Sequence, residues 1–124
     1  MTKVAYSPES LDDLLGIKLY IENELKNPEA AGRIISAIMK RINSLKSSPL
    51  IGAPLSSVIN IETDYRFVHI RNYISFYRYS ITDDVCYIDR VLYKRRDYLS
   101  ILFSGSSVSD DAETGEKIPG NGDK

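Results

Sequence analysis

Ile74-Ser75-Phe76-Tyr77-Arg78-Tyr79, followed shortly by Cys86-Tyr87-Ile88-Asp89-Arg90-Val91-Leu92-Tyr93-Lys94-Arg95-Arg96-Asp97, is the stretch that decides how this chain folds. Apolar and polar side chains alternate in its first part, Ile74 and Phe76 against Ser75 and Tyr77, the pattern of a strand with one face covered. Thr82-Asp83-Asp84 supplies turn chemistry. Beyond it Cys86, Ile88 and Leu92 return at even steps, with Asp89 facing the other way and Arg90 interrupting the apolar row. The reading is a β-hairpin that runs into a cluster of cations at one end of a rigid sheet. Arg78 should pair with Asp89 across neighbouring strands.

Working outward, Lys3 to Tyr6 make a short strand, and Ser7 caps a helix whose first turn holds Pro8, where a missing amide costs nothing. Leu11, Leu14, Ile17, Ile21 and Leu25 recur at three- and four-residue steps and predict an apolar face. Asn27-Pro28 ends this helix and opens the next, in which Ala31, Ile34, Ile35, Ile38, Ile42 and Leu45 follow the helical period. Arg33, Lys40, Arg41 and Lys46 lie on its other faces. Two amphipathic helices need a shared partner, and the meander from about Tyr65 to Tyr93 provides one. The fold class is therefore α+β in the order β-α-α-β-β-β: a helical hairpin packed on a small, mostly antiparallel sheet, with the first strand at its edge. Ile38 and Phe76 are assigned to the helix–sheet contact. A short C-terminal helix over about Arg95 to Phe103 follows, with an extended edge as the alternative.

A chain of 124 residues fits one domain, read here as residues 1–103, followed by a tail over 104–124. The tail is Ser/Gly-rich and acidic and reads as disordered. No apolar run approaches the ~20 residues that span a bilayer, and no secretory signal opens the chain, so a cytoplasmic protein without a membrane partner is expected. Cys86 is the single cysteine and reads as a buried, inert thiol. One histidine and one cysteine are too few for the usual zinc ligand sets, and no metal or other cofactor is expected. The formal charge of -1 argues at first against a nucleic-acid or ribosome-directed protein. That average misleads: taking the tail's five acids and two lysines from the chain's 17 and 16 leaves 14 basic and 12 acidic residues before it.

The first strand, the helix opening on Ser7-Pro8, the helix opening on Asn27-Pro28-Glu29-Ala30-Ala31, the Pro/Gly loop from Pro49 to Pro54, and the Tyr65-Arg66, Phe76-Tyr77-Arg78 and Arg90-to-Asp97 segments together resemble the RelE/ParE family. These are the small toxins of type II toxin–antitoxin modules, which stabilise plasmids and arrest growth. The likeness covers about Thr2 to Phe103 and rests on order and spacing rather than on one signature.

The resemblance implies two activities that differ in what they ask of the residues. Metal-independent RNA cleavage must activate a 2′-hydroxyl, stabilise charge at the phosphate and protonate a leaving oxygen. In the family's ribosome-dependent nucleases this implies basic residues that fall here on Arg66 and Val68, an arginine that falls on Ile74, a late arginine at Arg95, and a tyrosine that falls on Ile101, with Tyr98 one helical turn earlier. A rearranged nuclease site would then use Arg66, His69, Arg95 and Tyr98 as catalytic residues. The run from Ile74 to Arg78 and from Arg90 to Asp97 looks instead like the ParE branch, many of whose members poison DNA gyrase, and this is the preferred reading. Arg66, Arg71, Tyr93, Lys94, Arg95 and Arg96 are its candidate contacts to target or antitoxin. The implied partners are a cognate antitoxin, in a toxin–antitoxin heterotetramer, and either gyrase or the ribosome with its mRNA. Tyrosines on the sheet face away from the helices would add a recognition surface. A scaffold that lost toxicity and kept only binding is the third reading.

Overall fold

The computed structural model describes residues 1–103; the acidic tail read from 104–124 lies outside the described residues. The described residues divide into two compact units, Met1–Val91 and a second that begins at Leu92.

The first unit opens with β1 (Lys3–Tyr6) and α1 (Pro8–Leu19). Ser7 caps α1 as its position suggested: its Oγ accepts the Ser10 amide at 2.9 Å and donates to the Asp89 carbonyl at 2.8 Å, so one hydroxyl both starts the helix and ties it to the sheet. α1 widens into a π-helical turn at Tyr20–Glu24. Asn27 then caps α2 (Pro28–Asn43), its side-chain oxygen accepting the Ala30 amide at 3.1 Å. After β2 (Ala53–Pro54) come β3 (Arg66–Ile70), β4 (Tyr73–Ser80) and β5 (Val85–Tyr93). The chain continues to α3 (Tyr98–Phe103), the short terminal helix expected over that stretch.

These strands form one mixed sheet in the order β1-β5-β4-β3-β2. β1 lies parallel to β5, with Lys3 beside Val85 and Tyr6 beside Ile88. β3 runs antiparallel to β4, pairing Phe67 with Phe76 and Ile70 with Tyr73. The expected α+β class and element order are both present, and the Pro/Gly loop adds β2 at the sheet edge. The Leu55 amide still donates to the Tyr65 carbonyl at 2.9 Å beyond Pro54, and the strand stops where the chain turns at Leu55–Ser57.

Leu14, Ile38, Ile42 and Leu45 from the helical segment meet Val68, Ile70, Tyr77, Cys86 and Ile88 in the core. Burial pushes the Cys86 thiol up to about 11, which makes it the inert core residue expected. Three assignments change. Phe76 is buried, but successive strand residues point to opposite faces, and its neighbour Tyr77 is the one that joins the helix-facing core. Ile74, Ser75, Phe76 and Tyr77 are all buried, so β4 is covered on both sides rather than on one. In α1, Leu14 and Ile21 are buried as expected, whereas Leu11 and Leu25 are 51% and 58% exposed. The π turn inserts one residue into the helical repeat and rotates Leu25 out of phase with the buried row.

Candidate functional site

Arg66 begins β3 opposite Tyr77. Its Nη1 donates to the carbonyls of Gly52 at 2.6 Å and Leu50 at 3.2 Å, while the Tyr77 hydroxyl donates to the Pro49 carbonyl at 2.8 Å and accepts the Gly52 amide at 3.0 Å. Two side chains from neighbouring strands thus satisfy the backbone of the Pro49–Gly52 loop on the helix side of the sheet. Gly52 is there for space: a Cβ would stand 2.6 Å from the Tyr77 hydroxyl and 2.8 Å from the Phe67 carbonyl.

The other face of β3 carries Phe67 and His69, whose rings meet edge-on at 5.5 Å. His69 is exposed and sits opposite Ile74. Arg66 and His69 therefore point away from opposite sides of one strand, and the structure does not bring them together.

At the end of this outer face Arg78 Nη2 lies 3.1 Å from Asp89 Oδ2, the cross-strand pair anticipated from the hairpin. The Arg78 guanidinium is 5.3 Å from the centre of the Tyr65 ring. Burial, and next a hydrogen bond to Asp89, push the Tyr65 phenol up to about 12. Asp89 thus holds a cation and a neutral phenol together. Arg90, which broke the apolar row, is accounted for by Asp13 on α1: Nε and Nη2 reach its two carboxylate oxygens at 2.7 and 2.8 Å. The expected tyrosine surface is thinner than its sequence suggested, because Tyr73, Tyr77 and Tyr79 pack on the helix-facing core.

In the second unit Tyr93, Lys94, Arg95 and Arg96 are all exposed. They form a turn closed by the Arg96 amide on the Tyr93 carbonyl at 2.9 Å. Asp97 follows and opens α3, its carboxylate accepting from the Ser100 hydroxyl at 2.9 Å and the Ser100 amide at 3.4 Å. Lys94, Arg95 and Arg96 form no ion pair with any described residue. Tyr98, also a sequence candidate, is the first residue of α3 and half-buried.

Arg71 follows β3 in a two-residue loop, with φ 54°. It lines an open groove on α2 together with Arg33 and Lys40, over a floor of Gly32, Ser36 and Ala37. In the sequence Arg33 and Lys40 stand simply off the apolar face of this helix. Their seven-residue spacing, with only small residues between them on that face, was the signal available. A second surface is apolar: Leu11, Leu15 and Leu19, at four-residue steps on α1, are 51%, 53% and 43% exposed.

Among the described residues no three His, Cys, Asp or Glu side chains gather as a metal-binding group. No helix there is long and apolar enough to cross a membrane.

The model of a family described as the ParE toxin of the type II toxin–antitoxin system parDE matches residues 4–98. No curated protein matches. Among solved structures, that of a chromosomal ParDE toxin–antitoxin system from P. aeruginosa is similar at 18% identity and a TM-score of 0.62, covering 75% of this chain and 96% of that one. The RelBE2 toxin–antitoxin complex from Mycobacterium tuberculosis is similar at 19% identity and 0.56, covering 74% and 96%. The intact E. coli RelBE toxin–antitoxin complex follows at 15% and 0.50, covering 77% and 100%. At these identities the structural likenesses speak to fold, whereas the family match spans the helical hairpin, the sheet and the cationic turn: the chain belongs to the ParE toxin family of type II toxin–antitoxin systems.

Proposed function

We propose that this toxin acts by binding DNA gyrase, through the exposed turn of Tyr93, Lys94, Arg95 and Arg96. The observation that carries the reading is the separation of Arg66 from His69. A nuclease needs its base and its phosphate-holding cation within reach of one ribose-phosphate. Here Arg66 serves two loop carbonyls on one side of β3 and His69 is exposed on the other. An inhibitor that works by surface recognition needs no such convergence, only unpaired charge and exposed aromatic area.

The toxin is neutralised by a small antitoxin, as the toxin–antitoxin complexes among its structural neighbours support. The antitoxin buries the leucine row of α1 and pairs acids with Arg95 and Arg96; two toxins and two antitoxins form the heterotetramer. Purified chain added to a gyrase supercoiling assay should inhibit it, with relief on adding antitoxin. Unchanged supercoiling together with ribosome-dependent transcript cleavage would instead establish the second reading, an endoribonuclease built around exposed His69. Growth unaffected by expression without antitoxin would point to the non-toxic binding module.

A further inference from the structure

Lys94, Arg95 and Arg96 stand next to one another in an exposed turn, and none of them forms an ion pair with a described residue. Asp97 is the acid nearest in the chain, but its carboxylate serves α3, where it accepts from the Ser100 hydroxyl and amide. The turn is held by its own backbone, the Arg96 amide donating to the Tyr93 carbonyl at 2.9 Å, so three like charges stay close together. Like charges crowded on one surface repel each other and favour an anionic occupant.

The chain itself carries such an anion. Beyond α3 the sequence sets four acids within seven residues, Asp110, Asp111, Glu113 and Glu116, with no base among them. The family match ends at residue 98, so these acids lie outside the part shared with the family. Reach is ample: the six residues of α3 carry the chain about 9 Å from the turn, and the stretch from Phe103 to Asp110 spans up to about 25 Å when extended. The turn and α3 belong to one compact unit, the one that begins at Leu92. Closing so short a loop costs little, because loop entropy grows only with the logarithm of length, and a tether of this kind gives an effective concentration on the order of millimolar.

We propose that residues 110–116 dock on the cationic turn of their own chain, as an internal competitor of the toxin's target. The acids meet Lys94, Arg95 and Arg96. The contact is exposed, so salt screens it, and a partner that also buries apolar area displaces it. The proposal rests on the reading of this turn as the target surface and adds its regulation: the free toxin is held below full potency, and the acids of the tail and of the antitoxin exclude one another at Arg95 and Arg96. The rival seat is the α2 groove, where Glu29 lies beside Arg33, Lys40 and Arg71 and opposes an acidic occupant.

Zero-length carbodiimide coupling of the full chain reads the contact directly. It joins a carboxylate to a lysine amine as an amide where the two already touch, and the carbodiimide takes up the water lost as a urea. Mass spectrometry of the monomer should find Lys94 joined to Asp110, Asp111, Glu113 or Glu116, and about tenfold less of that product when coupling is done in about 0.5 M sodium chloride. A second arm neutralises the acids in place. The full chain with Asp110→Asn, Asp111→Asn, Glu113→Gln and Glu116→Gln should melt like the parent and inhibit gyrase supercoiling at a concentration at least fivefold lower. If neither protein inhibits gyrase, the target reading falls and the Lys94 crosslink alone decides the docking. No Lys94 crosslink, acids coupled instead to Lys40 or to a second copy of the chain, or equal inhibition of gyrase by the two proteins would each overturn the proposal.

Discussion

Asp13 and Arg90, 77 residues apart, form a two-pronged ion pair that joins α1 to β5: Oδ2 lies 2.7 Å from Nε and Oδ1 lies 2.8 Å from Nη2. Oδ2 also accepts the Val91 amide at 2.9 Å. The side chains are only 12% and 26% exposed, so removing one partner strands a largely desolvated charge and a backbone donor. Asp13→Ala should cost about 3 kcal/mol in urea unfolding. Adding Arg90→Met should recover part of that loss, because the charge left without a partner is then gone too. A double variant less stable than Asp13→Ala would contradict this account.

The Pro49–Gly52 loop depends on Tyr77. Tyr77→Phe removes the hydroxyl that serves the Pro49 carbonyl and the Gly52 amide and should cost about 1–3 kcal/mol. Gly52→Ala should destabilise at least as much by forcing a methyl against the same hydroxyl and the Phe67 carbonyl. Thermal melts of the two single variants check both, and a Gly52→Ala protein as stable as the parent would remove the packing argument.

At alkaline pH, Tyr65 should contribute to the loss of stability. Its folded phenol is pushed from 10.0 up to about 12, so the unfolded chain loses this proton first. A raised folded value gives stability that is fully present below pH 10 and lost as pH rises from there through about 12. Tyrosinate absorbance should show several phenols titrating late, Tyr65 with Tyr6, Tyr77, Tyr79 and Tyr87, and Tyr65→Phe should lower the late amplitude by one phenol. A Tyr65→Phe protein with an undiminished late amplitude would show that Tyr65 is not among the late phenols.

Charge reversal at the cationic turn should separate toxicity from folding. Arg95→Glu with Arg96→Glu should abolish growth arrest and raise the concentration needed to inhibit gyrase at least tenfold, with an unchanged melt, since both side chains are exposed and outside any ion pair with a described residue. His69→Ala should leave growth arrest intact. Loss of toxicity in His69→Ala, with retained fold, would favour the nuclease.

Leu15→Asp should leave the toxin active and weaken neutralisation about tenfold or more, because a carboxylate in the middle of the leucine row must be desolvated when an antitoxin segment covers it. Co-expression growth curves with graded antitoxin read this directly. Full rescue at parental antitoxin levels would place the antitoxin elsewhere.

The order of elements was legible because each signal is local. Ser7-Pro8 and Asn27-Pro28 mark helix starts within a few residues, and the capping bonds at Ser10 and Ala30 form there. The Arg78–Asp89 pair was legible because a hairpin brings facing residues of adjacent strands together. Less was legible where the geometry was not local. Leu25 left the buried row because a π turn, which leaves no residue signature, changed the helical phase. Nothing local to α1 marks Asp13, and only the approach of β5 gives it a cation and an amide to hold.

By itself, then, the sequence determined the α+β class, the succession of strands and helices, and the pairing of the final hairpin, since periods of two and 3.6 residues and the capping groups act within a few positions. A two-residue period does not say which side of a strand meets the helices. The tertiary structure decided that, placing Tyr77 rather than Phe76 in the helix-facing core, Arg66 and His69 on opposite sides of β3, and Arg71 beside Arg33 and Lys40. The choice falls where the helical hairpin packs, and that is settled by the joint burial of residues far apart in the chain.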